Sequence, residues 1–138
     1  MNRLAIAILA ACGHPPAPQP PQNVATPQHD GQHVIEGTLV LPGAVPNGAV
    51  IFVVAKPASG GVPLAVAKLV YAGGGSIAFH LDDSDVFESG GSLVGDVVVT
   101  ARFDQDGDAI TKQPGDLVGS AAVTVPAHGV SIRVDRSL

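Results

Sequence analysis

Residues 96–103 read DVVVTARF. In an extended chain Val97, Val99, Ala101 and Phe103 fall on one side and Thr100 and Arg102 on the other. That period of two belongs to a strand with one face in a core and one toward solvent. Going back along the chain, Asp82–Gly95 is a longer polar connection, with a helical turn expected where Asp82 or Ser84 can cap it. Before it, Ser76–Leu81 alternates again, with Ile77, Phe79 and Leu81 inward and Ala78 and His80 outward. Pro63–Tyr71 is a further strand with Lys68 facing out, closed by Gly73-Gly74-Gly75. Ala49–Lys56 is almost wholly apolar, which predicts a central strand covered on both faces. His33–Leu41 sets Ile35, Gly37, Leu39 and Leu41 against Val34, Glu36 and Thr38, before Pro42-Gly43 and Pro46-Asn47-Gly48 break the chain.

On the C-terminal side, Gln105–Gly115 reads as a turn region, and two last strands are expected at Val118–Val125 and Val130–Asp135. The count is about seven strands, with no credible long helix and no internal repeat. An all-β antiparallel sandwich is the simplest way to bury these faces.

Composition agrees. The 138 residues are 46% hydrophobic, enough for a core, yet only 4% aromatic. The 17 glycines and 12 prolines favour short strands and turns over long helices. A formal net charge of -5 with seven Lys+Arg and no basic run argues against nucleic-acid binding and against adsorption to anionic membranes.

The first residues have another purpose. Arg3 followed by the apolar run Leu4–Ala11 reads as a compact export signal over residues 1–11, too short for a spanning helix. Leu9-Ala10-Ala11-Cys12 matches the bacterial lipobox, so Cys12, the one cysteine, is expected to be acylated and to anchor the chain to a membrane. Gly13 after it lacks the Asp that retains lipoproteins at the inner membrane, which points to the periplasmic face of the outer membrane. Residues 12–32 form a Pro/Gln-rich tether, with prolines at 15, 16, 18, 20, 21 and 27, and residues 33–138 the folded domain.

Five blocks carry a resemblance. Phe52-Val-Val-Ala-Lys-Pro57 is followed by Pro63-Leu-Ala-Val66, then Phe79-His-Leu-Asp-Asp-Ser84, Val97-Val-Val-Thr-Ala-Arg102 and Gln113-Pro-Gly-Asp-Leu117. In order and spacing, over about Ile35–Val125, they resemble the C-terminal periplasmic domain of the CcmI/CycH family of cytochrome c biogenesis proteins. The resemblance implies an immunoglobulin-like sandwich and a place near the haem-lyase assembly that captures unfolded apocytochrome c. Family members carry transmembrane helices and usually a helical repeat region, which these residues lack. The family also often has a Met-rich stretch after the Leu-Asp-Asp-Ser block, where this chain reads Asp85-Val-Phe-Glu-Ser89.

Signals for chemistry are weak. His80 lies near Asp82, Asp83, Ser84 and Asp85, but it points away from the core and no nucleophile elbow occurs, so no catalytic residue is expected. Asp104, Asp106 and Asp108 have the opening rhythm of a calcium loop, with the Gly one residue early and no bidentate Glu; an Asp/Gly-rich hairpin turn explains them better. His14, His29 and His33 are spaced too far apart for a preformed metal site. No phosphate loop is present, since Gly73-Gly74-Gly75 lacks a following Lys and helix, and no cofactor is expected. What remains is a non-enzymatic binding module. Its candidate surfaces are the Ala58–Val62 loop, the Asp82–Gly95 connection and the Asp104–Gly115 hairpin, with no single binding residue identified. The expected partner is a protein or polypeptide, as the resemblance implies an apocytochrome c or haem-lyase components, besides the membrane reached through the anchor. The alternative is a structural envelope lipoprotein whose sandwich self-associates or docks on a larger complex.

Overall fold

The structure, a computed structural model, describes residue 13 and residues 31–43, 45, 48–108 and 110–138. The export signal, Cys12, His14, His29 and the tether prolines lie outside the described residues. The strands are β1 (Ile35–Val40), β2 (Val50–Pro57), β3 (Ala65–Val70), β4 (Ser76–Leu81), β5 (Asp96–Asp104), β6 (Leu117–Thr124), β7 (Ala127–Arg133) and β8 (Arg136–Ser137). They form an all-β, immunoglobulin-like pair of sheets, one ordered β4-β1-β7 and the other β3-β2-β5-β6-β8. Among the described residues no helix is long and apolar enough to cross a membrane.

The alternation that decided the fold does place the core. Val97, Val99, Ala101 and Phe103 of β5 are all buried. They meet Ile51, Val53 and Ala55 of β2 from the same sheet and Ile35, Leu39, Phe79, Leu81 and Ile132 from the other. The short helical turn also forms, at Asp83–Asp85, and Asp82 is its cap: the Asp82 side chain accepts from the Ser84 N–H at 2.7 Å. Asp83 then reaches forward to take the Leu93 N–H at 2.7 Å, which holds Leu93, fully buried, in the core.

About seven strands were expected and, among the described residues, eight form, the last a short one in which Arg136 and Ser137 pair with Val118 and Leu117. Three expectations need correction. The last long strands begin earlier than the apolar pattern suggested, at Leu117 and Ala127, with a cis Val125–Pro126 peptide between them. The sandwich is not antiparallel throughout, since β1 and β7 run parallel, with Gly37 opposite Val130. These two strands come from opposite ends of the domain, so no hairpin fixes their relative direction. Finally, β2 is covered on one face only. Ile51, Val53 and Ala55 are buried, whereas Phe52 and Val54 are half-buried on the outside of the five-stranded sheet.

Two local devices hold the frame. The Tyr71 side chain is buried and its Oη accepts the Gly75 N–H at 3.0 Å, pinning the glycine-rich β3–β4 connection to the core. At Gly37, where the β1–β7 register shifts, a Cβ would run into the Val130 carbonyl, so only hydrogen fits that approach.

Candidate binding surface

The histidine near the acidic turn sits in an arrangement with the wrong order for hydrolysis. His80 Nε2 lies 3.0 Å from Asp82 Oδ2, and Ser84 Oγ donates to Asp82 Oδ1 at 2.5 Å. The carboxylate therefore stands between hydroxyl and imidazole, whereas activation of a serine puts the imidazole in the middle. The same cap explains Asp82, Ser84 and Asp85 as structural: Asp85 Oδ2 accepts the Asp82 N–H at 3.1 Å, closing a capping box. His33 Nδ1 lies 2.7 Å from Asp83 Oδ2. Burial pushes the Asp83 carboxyl up, but the Leu93 N–H and His33 together hold it below its ordinary value.

On the outside of the three-stranded sheet Glu36 stands between two histidines. His128 Nδ1 is 2.8 Å from Glu36 Oε1, and His80 Nδ1 is 3.7 Å from Oε2. The hydrogen bond with His128 outweighs desolvation and lowers the Glu36 carboxyl. A depression of about 550 Å³ is lined here by Glu36, Thr38, Leu69, Ala78 and His80 among others. Its charged groups, Glu36 and His80, are engaged with each other, with His128 and with Asp82.

The Asp-rich hairpin is built from the inside. Arg102 was expected to face solvent, yet the 105–116 loop folds over it and only 14% of its side chain is exposed. Its guanidinium donates to Asp104 Oδ2 at 2.8 Å, to Asp116 Oδ2 at 2.9 Å and to the Thr111 carbonyl. Asp104 Oδ1 accepts the Gly107 N–H at 2.9 Å, Asp106 Oδ1 that of Asp108 at 3.0 Å, and Asp108 Oδ1 that of Ile110 at 2.9 Å. Each carboxylate is thus turned on the loop's own backbone, in a chain of Asx turns. Burial, with Asp106 and Asp116 close by, pushes the Asp104 carboxyl up. Burial also pushes up Asp116, but the Gln113 N–H and Arg102 more than offset it, so this carboxyl is lowered. Among the described residues no group of three or more His, Cys, Asp and Glu is placed to hold a metal ion.

Sequence reasoning missed the outer face of the five-stranded sheet. In register across the strands, Val66, Val54 and Thr100 form one row, and Lys68, Phe52, Arg102 and Val118 the next. All of these but Lys68, together with Lys56, Phe87 from the Asp82–Gly95 connection, Lys112 from the hairpin and Leu138, line a depression of about 530 Å³. Phe87 is 68% exposed and Leu138 46%. Two of the three surfaces proposed from sequence therefore contribute to one site, while the Ala58–Val62 loop does not line it. A signal was available: Phe52 and Val54 are apolar at outward positions, which an ordinary solvated face does not need.

No individual characterised protein and no solved structure matches this chain. A family model does, that of the cytochrome c-type biogenesis protein H Ig-like domain, over residues 39–135. The matched span is well over half of the chain and runs from β1 to the residue before β8. With two stacked sheets in agreement, the chain belongs to the family of cytochrome c-type biogenesis protein H Ig-like domains.

Proposed function

We propose that this protein is a non-enzymatic polypeptide-binding module, accessory to cytochrome c biogenesis in the cell envelope, and that apocytochrome c is the polypeptide it handles. The observation that carries the reading is the outer face of β3, β2, β5 and β6, which the chain leaves only partly covered. A strand as apolar as β2 is normally covered on both sides, and here Phe52 and Val54 open into a depression of about 530 Å³ instead. Apolar, concave and flanked by polar groups, such a surface suits an apolar stretch of an unfolded chain. Family membership supplies the biological setting. The Asp82-centred order of His80 and Ser84 supports the absence of hydrolytic chemistry.

In this reading Cys12 is acylated, residues 12–32 act as a spacer, and residues 33–138 are held on the periplasmic side of the outer membrane. Titration of the purified protein with haem-free, reduced apocytochrome c tests the function. Saturable binding that folded holocytochrome c does not compete for is expected; no binding to the apo form contradicts it. Mass spectrometry of the membrane-extracted protein tests the anchor: an acylated N-terminal Cys12 peptide is expected, and an unmodified Cys12 contradicts it.

A further inference from the structure

The charge on the apolar face says what kind of segment it takes. The chain as a whole is acidic, with 12 Asp+Glu against seven Lys+Arg. Arg3 lies outside the described residues, which leaves six cations, and five of these lie on one side of the molecule. Lys56, Arg102 and Lys112 line the depression itself. Lys68 is the register partner of Phe52, and Arg136 that of Val118, so both share its face. Among the described residues no Asp or Glu side chain lines the depression. Arg102 is engaged with Asp104 and Asp116, so the charge open to a ligand comes from the lysines, Lys56 and Lys112 being exposed.

The depression crosses the strands and does not follow an edge. From β3 to β6 it spans three strand spacings, about 14 Å, which a helix covers in about ten residues. Strand addition at β3 is obstructed, because the Leu64 carbonyl already accepts the Phe87 N–H at 3.1 Å and Ala65 is bridged to Val86. Lys68 further blunts the remaining edge.

Resting on the polypeptide-binding reading above, we infer that this face selects an acidic amphipathic helix. Its apolar stripe lies across Phe52, Val54, Val66 and Val118, and its carboxylates reach Lys56 and Lys112. Opposite charge around an apolar strip selects among partners more than it adds affinity.

The test uses the whole protein and three synthetic helical peptides on one Leu/Ala frame, carrying Glu, Gln or Lys on the polar side, read by fluorescence anisotropy. The Glu peptide is expected to bind most tightly, the Gln peptide more weakly and the Lys peptide least. K56Q/K112Q is expected to weaken the Glu peptide about tenfold, as two exposed ion pairs allow, and to leave the Gln peptide unchanged. Both lysines are exposed, so an unaltered melting temperature will show that the variant is folded. Equal binding of the Glu and Gln peptides, insensitive to K56Q/K112Q, overturns the charge selection and leaves polypeptide binding standing. Failure of all three peptides while reduced apocytochrome c still binds overturns the helix and leaves polypeptide binding standing. Failure of the peptides and of apocytochrome c, with adsorption to phosphatidylglycerol vesicles, overturns both and assigns the face to a membrane surface.

Discussion

Arg102 shows how a residue read as solvent-facing can be structural. Alternation puts it on the outer face correctly, but nothing in the octet DVVVTARF tells that the following loop will fold back over it. The loop does so because Asp104 and Asp116, both nearly or fully buried, need its guanidinium. Arg102→Met is therefore expected to cost about 3–5 kcal/mol, the usual loss when one partner of a buried ionic group is removed. Urea denaturation at neutral pH measures it, and a loss under 1 kcal/mol contradicts the role. The acids fix the pH dependence. Glu36, Asp83, Asp108 and Asp116 all have lowered carboxyls in the folded state. Each contributes stability that is fully present above its ordinary value, 4.5 for Glu and 3.8 for Asp, and is lost as pH falls through the lower folded value. Asp104 is raised, so it acts in the opposite sense, and its protonation relieves a cost. The lowered groups outnumber it, so the urea midpoint is expected to fall below about pH 4. Glu36→Gln is expected to make that fall shallower; an unchanged pH profile would show that the His128 contact contributes nothing.

Among the elements, the inner faces were legible and the joins between strands were not. The inward residues of β4 and β5 were readable because a period of two is a strong signal when one face is buried. Phe103, fully buried between the sheets, follows directly: Phe103→Ala is expected to cost about 3–5 kcal/mol in chemical denaturation, by lost burial and the cavity left behind. The parallel β1–β7 pairing was not readable, because contacts between chain ends leave no local pattern. Its trace lies in glycines. A Cβ at Gly37 would strike the Val130 carbonyl, and one at Gly119 the Arg133 carbonyl, where β6 meets β7. Neither has a positive φ, so close backbone approach is the reason for both. Gly119→Ala is expected to lower the melting temperature by several degrees, through a displaced β6–β7 contact. A variant melting with the parent would place the approach elsewhere.

For the whole molecule, two sheets with unlike outer faces define the account. The outside of β4-β1-β7 carries Glu36, His80 and His128, which partner one another. The outside of β3-β2-β5-β6-β8 carries apolar side chains and most of the described cations. The apolar run Ala49–Lys56 had suggested cover on both faces, and sequence alone could not distinguish cover by this chain from cover by a partner. The most direct test of the central claim is amide chemical-shift mapping of the labelled protein during titration with reduced apocytochrome c. Shifts concentrated on Phe52, Val54, Val66, Thr100 and Val118, with the β4-β1-β7 sheet unperturbed, are the predicted result. Shifts confined to the Glu36–His80–His128 face, or none at saturating apocytochrome, would contradict it.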